Sequence, residues 1–407
     1  MPDKPHATAS EDAPPTAPRP ARRPLLIILI LVAAMGPLAL QILVPSMPGL
    51  VEVFAQPYHV VQLSLMLFLI GLAVAQLIYG PLSDRFGRRP IMLAGIGIYL
   101  VGTLVCMLAP TIEVLLAGRI MQAVGGCAGM VLSRAIVRDL YERDRAASMI
   151  AYITVAMVVA PMIGPIIGSS LDLWLGWQAV FGFVLAYGVL VMAACLFGLH
   201  ETLKQRVVMS RTADLVNGFG YLLRSRAFLG YSLQVSFTSG TFFSFLGGAA
   251  YVVVDVLGGT AIDYGMWFLL ISAGYMSGNF MAGRITPRVG SDNMITLGTF
   301  ISMLGTIALL IVTLAGGLTI ASLFLVCISV SFGNGFAMPN GFAGAVSVDP
   351  NRAGAASGLC GFMQMTISAA MMRGVGVWLD QTAVPMVVMM LTGAVLAFLV
   401  HQWGTRR

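Results

Sequence analysis

Charge is what this chain has least of. Of its 407 residues, 10% are charged and 58% are hydrophobic, where ordinary soluble domains carry about 25% charge. So few charges cannot cover a water-facing surface, which excludes a soluble globular protein and makes a lipid bilayer the solvent for most side chains. Cysteine is scarce as well. Cys106, Cys127, Cys195, Cys327 and Cys360 lie inside apolar runs and never in a C-x-x-C spacing, so neither a disulfide framework nor a metal site is expected. The four histidines, His6, His59, His200 and His401, are scattered near span ends. No His or carboxylate cluster stands at catalytic spacing, so an enzyme is not expected, nor a cofactor. The net charge of +6 bears first on orientation in a membrane chain, and nucleic acid is not an expected partner.

What is present is twelve apolar runs, at 25–47, 60–80, 91–109, 112–137, 147–170, 178–199, 228–254, 264–283, 293–316, 318–343, 353–377 and 384–403. Nearly all reach the roughly 17 to 25 residues a helix needs to cross about 30 Å of hydrocarbon. A spanning segment must satisfy its own backbone hydrogen bonds, and the alternating ten-residue segments of a membrane barrel are absent. The expected fold is therefore an all-α membrane protein with twelve transmembrane helices. Residues 1–24 are polar and rich in Pro and Ala, and read as a disordered tail.

Orientation follows from the basic residues. With the N-terminus in the cytoplasm and alternating spans, 20 of the 23 Lys and Arg fall on the cytoplasmic side; only Arg119, Arg134 and Arg373 lie within spans. The outer segments carry only acids, Glu52, Glu113, Asp172, Asp255, Asp263 and Asp380. This strong positive-inside pattern predicts an even span count with both termini cytoplasmic. It leaves none of the seventeen acids at mid-membrane.

The chain also repeats itself. At an offset of 203, Gly71, Gly80, Arg85 and Gly87 meet Gly274, Gly283, Arg288 and Gly290; at an offset of 207, Asp144, Arg145 and Ala146 meet Asn351, Arg352 and Ala353. Two six-helix halves are implied, at 25–199 and 228–403, joined by a basic linker at 200–227 and followed by a short tail at 404–407. Parallel halves rocking about a midplane site are a common transporter plan.

Several strings carry candidate function. Gly80 to Pro90 reads GPLSDRFGRRP between spans 2 and 3. Gly80 and Gly87 allow a tight turn, Asp84 can accept from the amides of a neighbouring helix N-terminus, and Arg85, Arg88 and Arg89 can pair with acids at helix ends, Asp139 among them. A plain positive-inside anchor is the other reading of the same charges. In span 4, Arg119 to Ala128 reads RIMQAVGGCA. A charge at the centre of a spanning helix costs about 2.5–3.5 kcal/mol on insertion scales, so Arg119, with Gln122 one turn on, is a functional candidate, against a structural pairing or an outward reach. Span 5 contains APMIGPIIG, where Pro161 and Pro165 remove two backbone donors and Gly164 and Gly168 form a small-residue face suited to bending and close packing.

These three strings resemble motifs A, B and C of the major facilitator superfamily, the last marking its exporters. With PLALQILVPSMP in span 1, SRAIVRDLY ending span 4, GWQAVF before span 6 and RAGAASGLCGFMQ opening span 11, the chain resembles the Bcr/CflA group of bacterial drug/proton antiporters from Leu25 onward. The resemblance implies a monomeric exporter of a small-molecule drug or metabolite in the bacterial inner membrane, alternating in access and powered by the proton gradient; uptake by the same fold is the alternative. One departure stands out: that group usually has an Asp in span 1 where this chain has Gln41. Gln cannot titrate, but it can hydrogen-bond an uncharged polar drug or a neighbouring helix. For the binding site, Phe237, Phe242 and Phe245 in span 7 are an aromatic patch that can equally be core or lipid-facing. Tyr152, Asn334 and Gln364, like Gln62 and Asn340, are polar groups in spans and are expected to face the bundle interior.

Overall fold

The computed structural model describes residues 23–141, 143–203, 219–349, 352–378 and 381–405. Residues 1–22 of the expected N-terminal tail, most of the linker (204–218), Asn351 of the repeat, Asp380 and the last two residues lie outside the described residues, while Arg23 and Pro24 already belong to the first helix. Among the described residues, twelve long helices follow the twelve apolar runs: α1 Arg23–Gln41, α2 Leu63–Phe86, α3 Arg88–Met107, α4 Ile112–Leu140, α5 Arg143–Leu175, α6 Trp177–Gly198, α7 Arg226–Tyr251, α8 Ala261–Val289, α9 Ser291–Leu314, α10 Ile320–Ser347, α11 Ala353–Trp378 and α12 Val384–Thr405. No strand occurs among the described residues. Ten helical stretches there are long and apolar enough to cross a membrane, and α5 adds the shorter apolar stretch Val159–Leu175. The end of the bundle holding Arg85, Arg88 and Arg89 is called the basic end below, and the opposite one, holding Glu52, Glu113 and Asp263, the acidic end.

The first span departs from a single helix. α1 stops at Gln41; after a turn, a 3₁₀ segment at Val44–Ser46 leads into a second helix, Met47–Phe54. Pro45 and Pro48 have no N–H to give the carbonyls of Gln41 and Val44, so the α-helical ladder cannot run through this stretch. Span 7 is modified too: α7 passes into a π-helical turn, Val252–Val256.

Small residues bring helices together within each half, as expected where lipid offers no hydrophobic drive for association. A side chain on Gly118 of α4 would meet Cys106 and, at 3.0 Å, the carbonyl of Gly102 on α3. Gly95 packs on Ala128 in the same pair, and Gly298, 203 residues later, packs on Gly333 between α9 and α10. The internal repeat thus reappears as equivalent helix contacts. Across the halves, α2 packs on α11 and α5 on α8. One hydrophobic cluster includes residues of both halves near the acidic end, among them Leu43, Val44, Phe245 and Phe324, whereas Leu222, Phe228, Val235, Ala356 and Cys360 form a separate cluster in the second half near the basic end.

Candidate functional site

Arg119 is fully buried in the first half. Its Nε donates to the carbonyl of Ser64 on α2 at 3.3 Å, and Nη1 donates to the carbonyl of Ala39 on α1 at 3.0 Å and to Oε1 of Gln122. The guanidinium carbon lies 4.3 Å from the ring centroid of Phe68, a cation–π contact. Gln122 is oriented in turn, because its Nε2 donates to Thr103 Oγ1 at 2.8 Å and Thr103 donates to the carbonyl of Tyr99 at 2.7 Å. Every acceptor on the guanidinium is neutral, no carboxylate pairs with it, and Nη2 has no partner among the described residues. Gln41 is also buried, its Oε1 without a hydrogen-bond partner, and its Cβ would stand 3.4 Å from a side chain placed on Gly164.

The second-half candidates gather elsewhere. Phe242 and Phe245 of α7 and Asn334 of α10 line one small cleft with Thr241, Ile271 and Ser331. Asn334 Oδ1 accepts from Ser302 at 2.9 Å, and Phe245 stands edge-on to Phe324 with centroids 5.8 Å apart. Phe237 is half-buried and outside that cleft's lining. Gln364 of α11 instead donates to Ser239 of α7 at 3.2 Å, beside Ser368. Tyr152 is 55% exposed on α5, whereas the other polar candidates are buried or half-buried.

At the basic end, Arg88 is the hub of the GPLSDRFGRRP loop. It pairs with Asp84, donates from Nε to Asp139 Oδ2 at 2.9 Å, and donates to Ser83. Among the described residues the partner of Asp84 is Arg88, and no helix-terminal amide donates to it. Glu201, just after α6, accepts from the backbone N–H of Arg88 at 3.0 Å and of Arg89 at 3.3 Å, capping α3. Gly87, at φ +105°, leaves room for that carboxylate, which any side chain there would strike. Arg89 also donates to the carbonyl of Leu196, and Arg85 lies 5.0 Å from the Phe86 ring centroid. Gly80 meets no neighbour that excludes a side chain; its carbonyl accepts from Ser83. Partial burial would raise the Glu201 carboxyl, but donation from the amides of Leu203, Arg88, Arg89 and Thr202 outweighs this and holds it below its ordinary value. A lowered carboxyl stabilises the fold fully above its unfolded pKa of about 4.3, and that contribution disappears as pH falls through the lowered value. Glu201→Gln is therefore expected to lower the melting temperature at pH 7 and to make progressively less difference as the pH falls below the ordinary carboxyl range, as measured by thermal unfolding of the purified protein.

The model of the Major Facilitator Superfamily matches residues 29–372. The chain belongs to that superfamily. It is 31% identical over 384 residues to an uncharacterized MFS-type transporter, YdgK, of Bacillus subtilis (strain 168), covering 93% of this chain and 94% of that one. It is 27% identical to a bicyclomycin resistance protein homolog of Haemophilus influenzae, covering 94% and 96%. A solved bacterial homolog of the human lysosomal transporter Spinster, in an inward-facing and unoccupied conformation, has the same fold, with a TM-score of 0.75, 16% identity, and 95% and 98% of the two chains covered. The protein is a major facilitator transporter of the Bcr/CflA type, not an enzyme.

In this transporter the two halves are tied at the acidic end. Tyr58 Oη and Gln62 Nε2 both donate to the carbonyl of Gly247 on α7, at 3.1 and 2.9 Å. Arg373 of α11 donates to the carbonyl of His59 at 2.9 Å, which gives that span arginine a partner in the opposite half. Gly376 of α11 abuts the Gln62 amide so closely that a methyl group would collide with it. Gly376→Ala is expected to displace Gln62 and loosen the joint, by about 0.5–1.5 kcal/mol for one such hydrogen bond. Spin labels at the exposed positions Val53 and Val377 would report it as a shift to longer distances; the native cysteines are all buried and would not compete for label. An unchanged distance distribution would count against this joint as a gate.

Proposed function

We propose that the transporter exports small amphipathic drugs or metabolites across the bacterial inner membrane by proton antiport. Its basic end lies in the cytoplasm with both termini, and it works as a monomer whose halves open in turn to either side. The observation that carries the reading is the joint made by Gly164, Pro165 and Gly168 of the string that also holds Pro161: Gly164 and Gly168 meet Ile42 of the broken first span, and Gly265 of α8 comes within reach of the Pro165 carbonyl. A helix so fitted to both halves at the acidic end suits a carrier that must not leak toward the outside. Relatives named for bicyclomycin, chloramphenicol and multidrug resistance support the choice of cargo. Arg119, Gln122 and Gln41 are assigned to coupling and binding, and the cleft with Phe242, Phe245 and Asn334, with Phe237 and Gln364 nearby on α7 and α11, to the opposite wall. The loop on Arg88, with Asp84 and Asp139, holds α2, α3 and α4 together at the cytoplasmic side. Among the described residues no acid stands at mid-membrane, so proton carriage falls to groups at span ends.

A resistance screen in an efflux-deficient host followed by flux in everted vesicles tests this. Uphill accumulation of a screened drug in everted vesicles, abolished by a protonophore, is expected. Flux only in the opposite direction would replace export by uptake.

A further inference from the structure

The guanidinium of Arg119 is fully buried with only neutral acceptors around it. Arg119 has no exposed surface, and its five N–H groups meet two backbone carbonyls, one amide oxygen and one ring face, none of them charged. Each ion taken out of water carries an effective penalty of several kcal/mol that neutral acceptors offset only in part. A permanent positive charge fixed between α1, α2 and α4 also sets the field for whatever enters, favouring an anion and opposing a cation.

Several polar groups around it are left over. Among the described residues Arg119 Nη2 is buried without a hydrogen-bond partner, and so is the hydroxyl of Ser64, the residue whose carbonyl Arg119 Nε already holds. Across the guanidinium, Nη1 is held by Ala39, two residues before Gln41, whose amide oxygen is likewise buried without a partner. A native protein rarely leaves such groups unsatisfied unless something else supplies the partner. Phe68 offers an apolar face beside the charge.

Building on the export reading above, we propose that Arg119 Nη2 and Ser64 Oγ receive the carboxylate of an anionic, amphipathic cargo, so that the counter-charge the span lacks travels with the substrate. A carboxylate accepts from a guanidinium and a hydroxyl together, and such charge-assisted bonds are about twice as strong as neutral ones. The site is closed off in this conformation and fills only as the halves move. It distinguishes acids from neutral or cationic compounds of the same shape.

Titration of the purified full-length transporter with benzoate and with benzamide, its uncharged counterpart, tests this without a variant. Benzoate is expected to bind at least about tenfold more tightly, the margin of one charge-assisted contact. Arg119→Gln should abolish that preference, and Ser64→Ala should reduce it while the melting temperature stays close to the parent's. The proposal is overturned if benzamide binds as well as benzoate, or if a folded Arg119→Gln protein keeps the preference. It is equally overturned if chloride displaces benzoate as effectively as acetate does, because the site would then serve an inorganic ion. Binding is read independently of flux direction, so an inward transporter with this preference would refute export alone, and an exporter without it would refute only the carboxylate site.

Discussion

Cells carrying Arg119→Ala are expected to accumulate drug to the level of cells with no transporter. The substitution removes the tie of α4 to the Ala39 carbonyl on α1 and to the Ser64 carbonyl on α2, and strips Gln122 Oε1 of its donor. A buried acceptor left unmade costs about 1–3 kcal/mol, and the empty space beneath Phe68 adds to that. Stability therefore falls along with function, and abundance in the membrane must be measured beside accumulation. Arg119→Lys separates the two effects. It retains the charge but replaces a planar fork by a single ammonium, which cannot reach both helices and Gln122 in the same geometry. The lysine protein should reach near-normal abundance and lose most of its efflux. Full efflux by the alanine protein at normal abundance would remove Arg119 from the mechanism.

How much of this was legible differs by kind of interaction. The spans were, because length and apolarity are properties of a contiguous string. The helix contacts of the two halves were legible in outline, since Gly95 and Gly298 lie at the same offset as the repeated loops. The break after Gln41 was written in Pro45 and Pro48, yet a string read as a family signature conceals what its prolines do to the backbone. Glu201 was missed for another reason: it caps α3 from 113 residues away in sequence, and no local pattern announces a cap that arrives from a distant segment. The partners of Arg119 are mostly backbone carbonyls, which every residue has and no sequence singles out. The exposure of Tyr152 was not legible either, because a phenol with an apolar body and a polar tip can be accommodated at either kind of surface.

Gly168→Ala and Gly164→Ala look alike in sequence, each adding one methyl group to the same face of α5, yet they should behave differently. A Cβ on Gly164 would stand 3.3 Å from the amide nitrogen of Ile42 and 3.4 Å from Gln41 Cβ, a tight fit that shifts of a few tenths of an ångström can relieve. A Cβ on Gly168 would overlap the carbonyl oxygen of Ile42. That oxygen is backbone and has no rotamer to move into, so α5 must withdraw from the first span, at a cost of about 1–3 kcal/mol for overpacking. Withdrawal would also disturb the contact of Pro165 with Gly265 across the halves, and so the seal at the acidic end. Ile42 follows Gln41 directly in the non-helical turn, three residues after the Ala39 carbonyl that holds Arg119. A displacement there reaches the buried charge as well as the seal. Gly168→Ala should therefore lose most drug efflux and admit a small hydrophilic dye into de-energised cells, while Gly164→Ala retains efflux and stays tight. Equal behaviour of the two variants in both assays would mean that α5 does not seal the protein through Ile42.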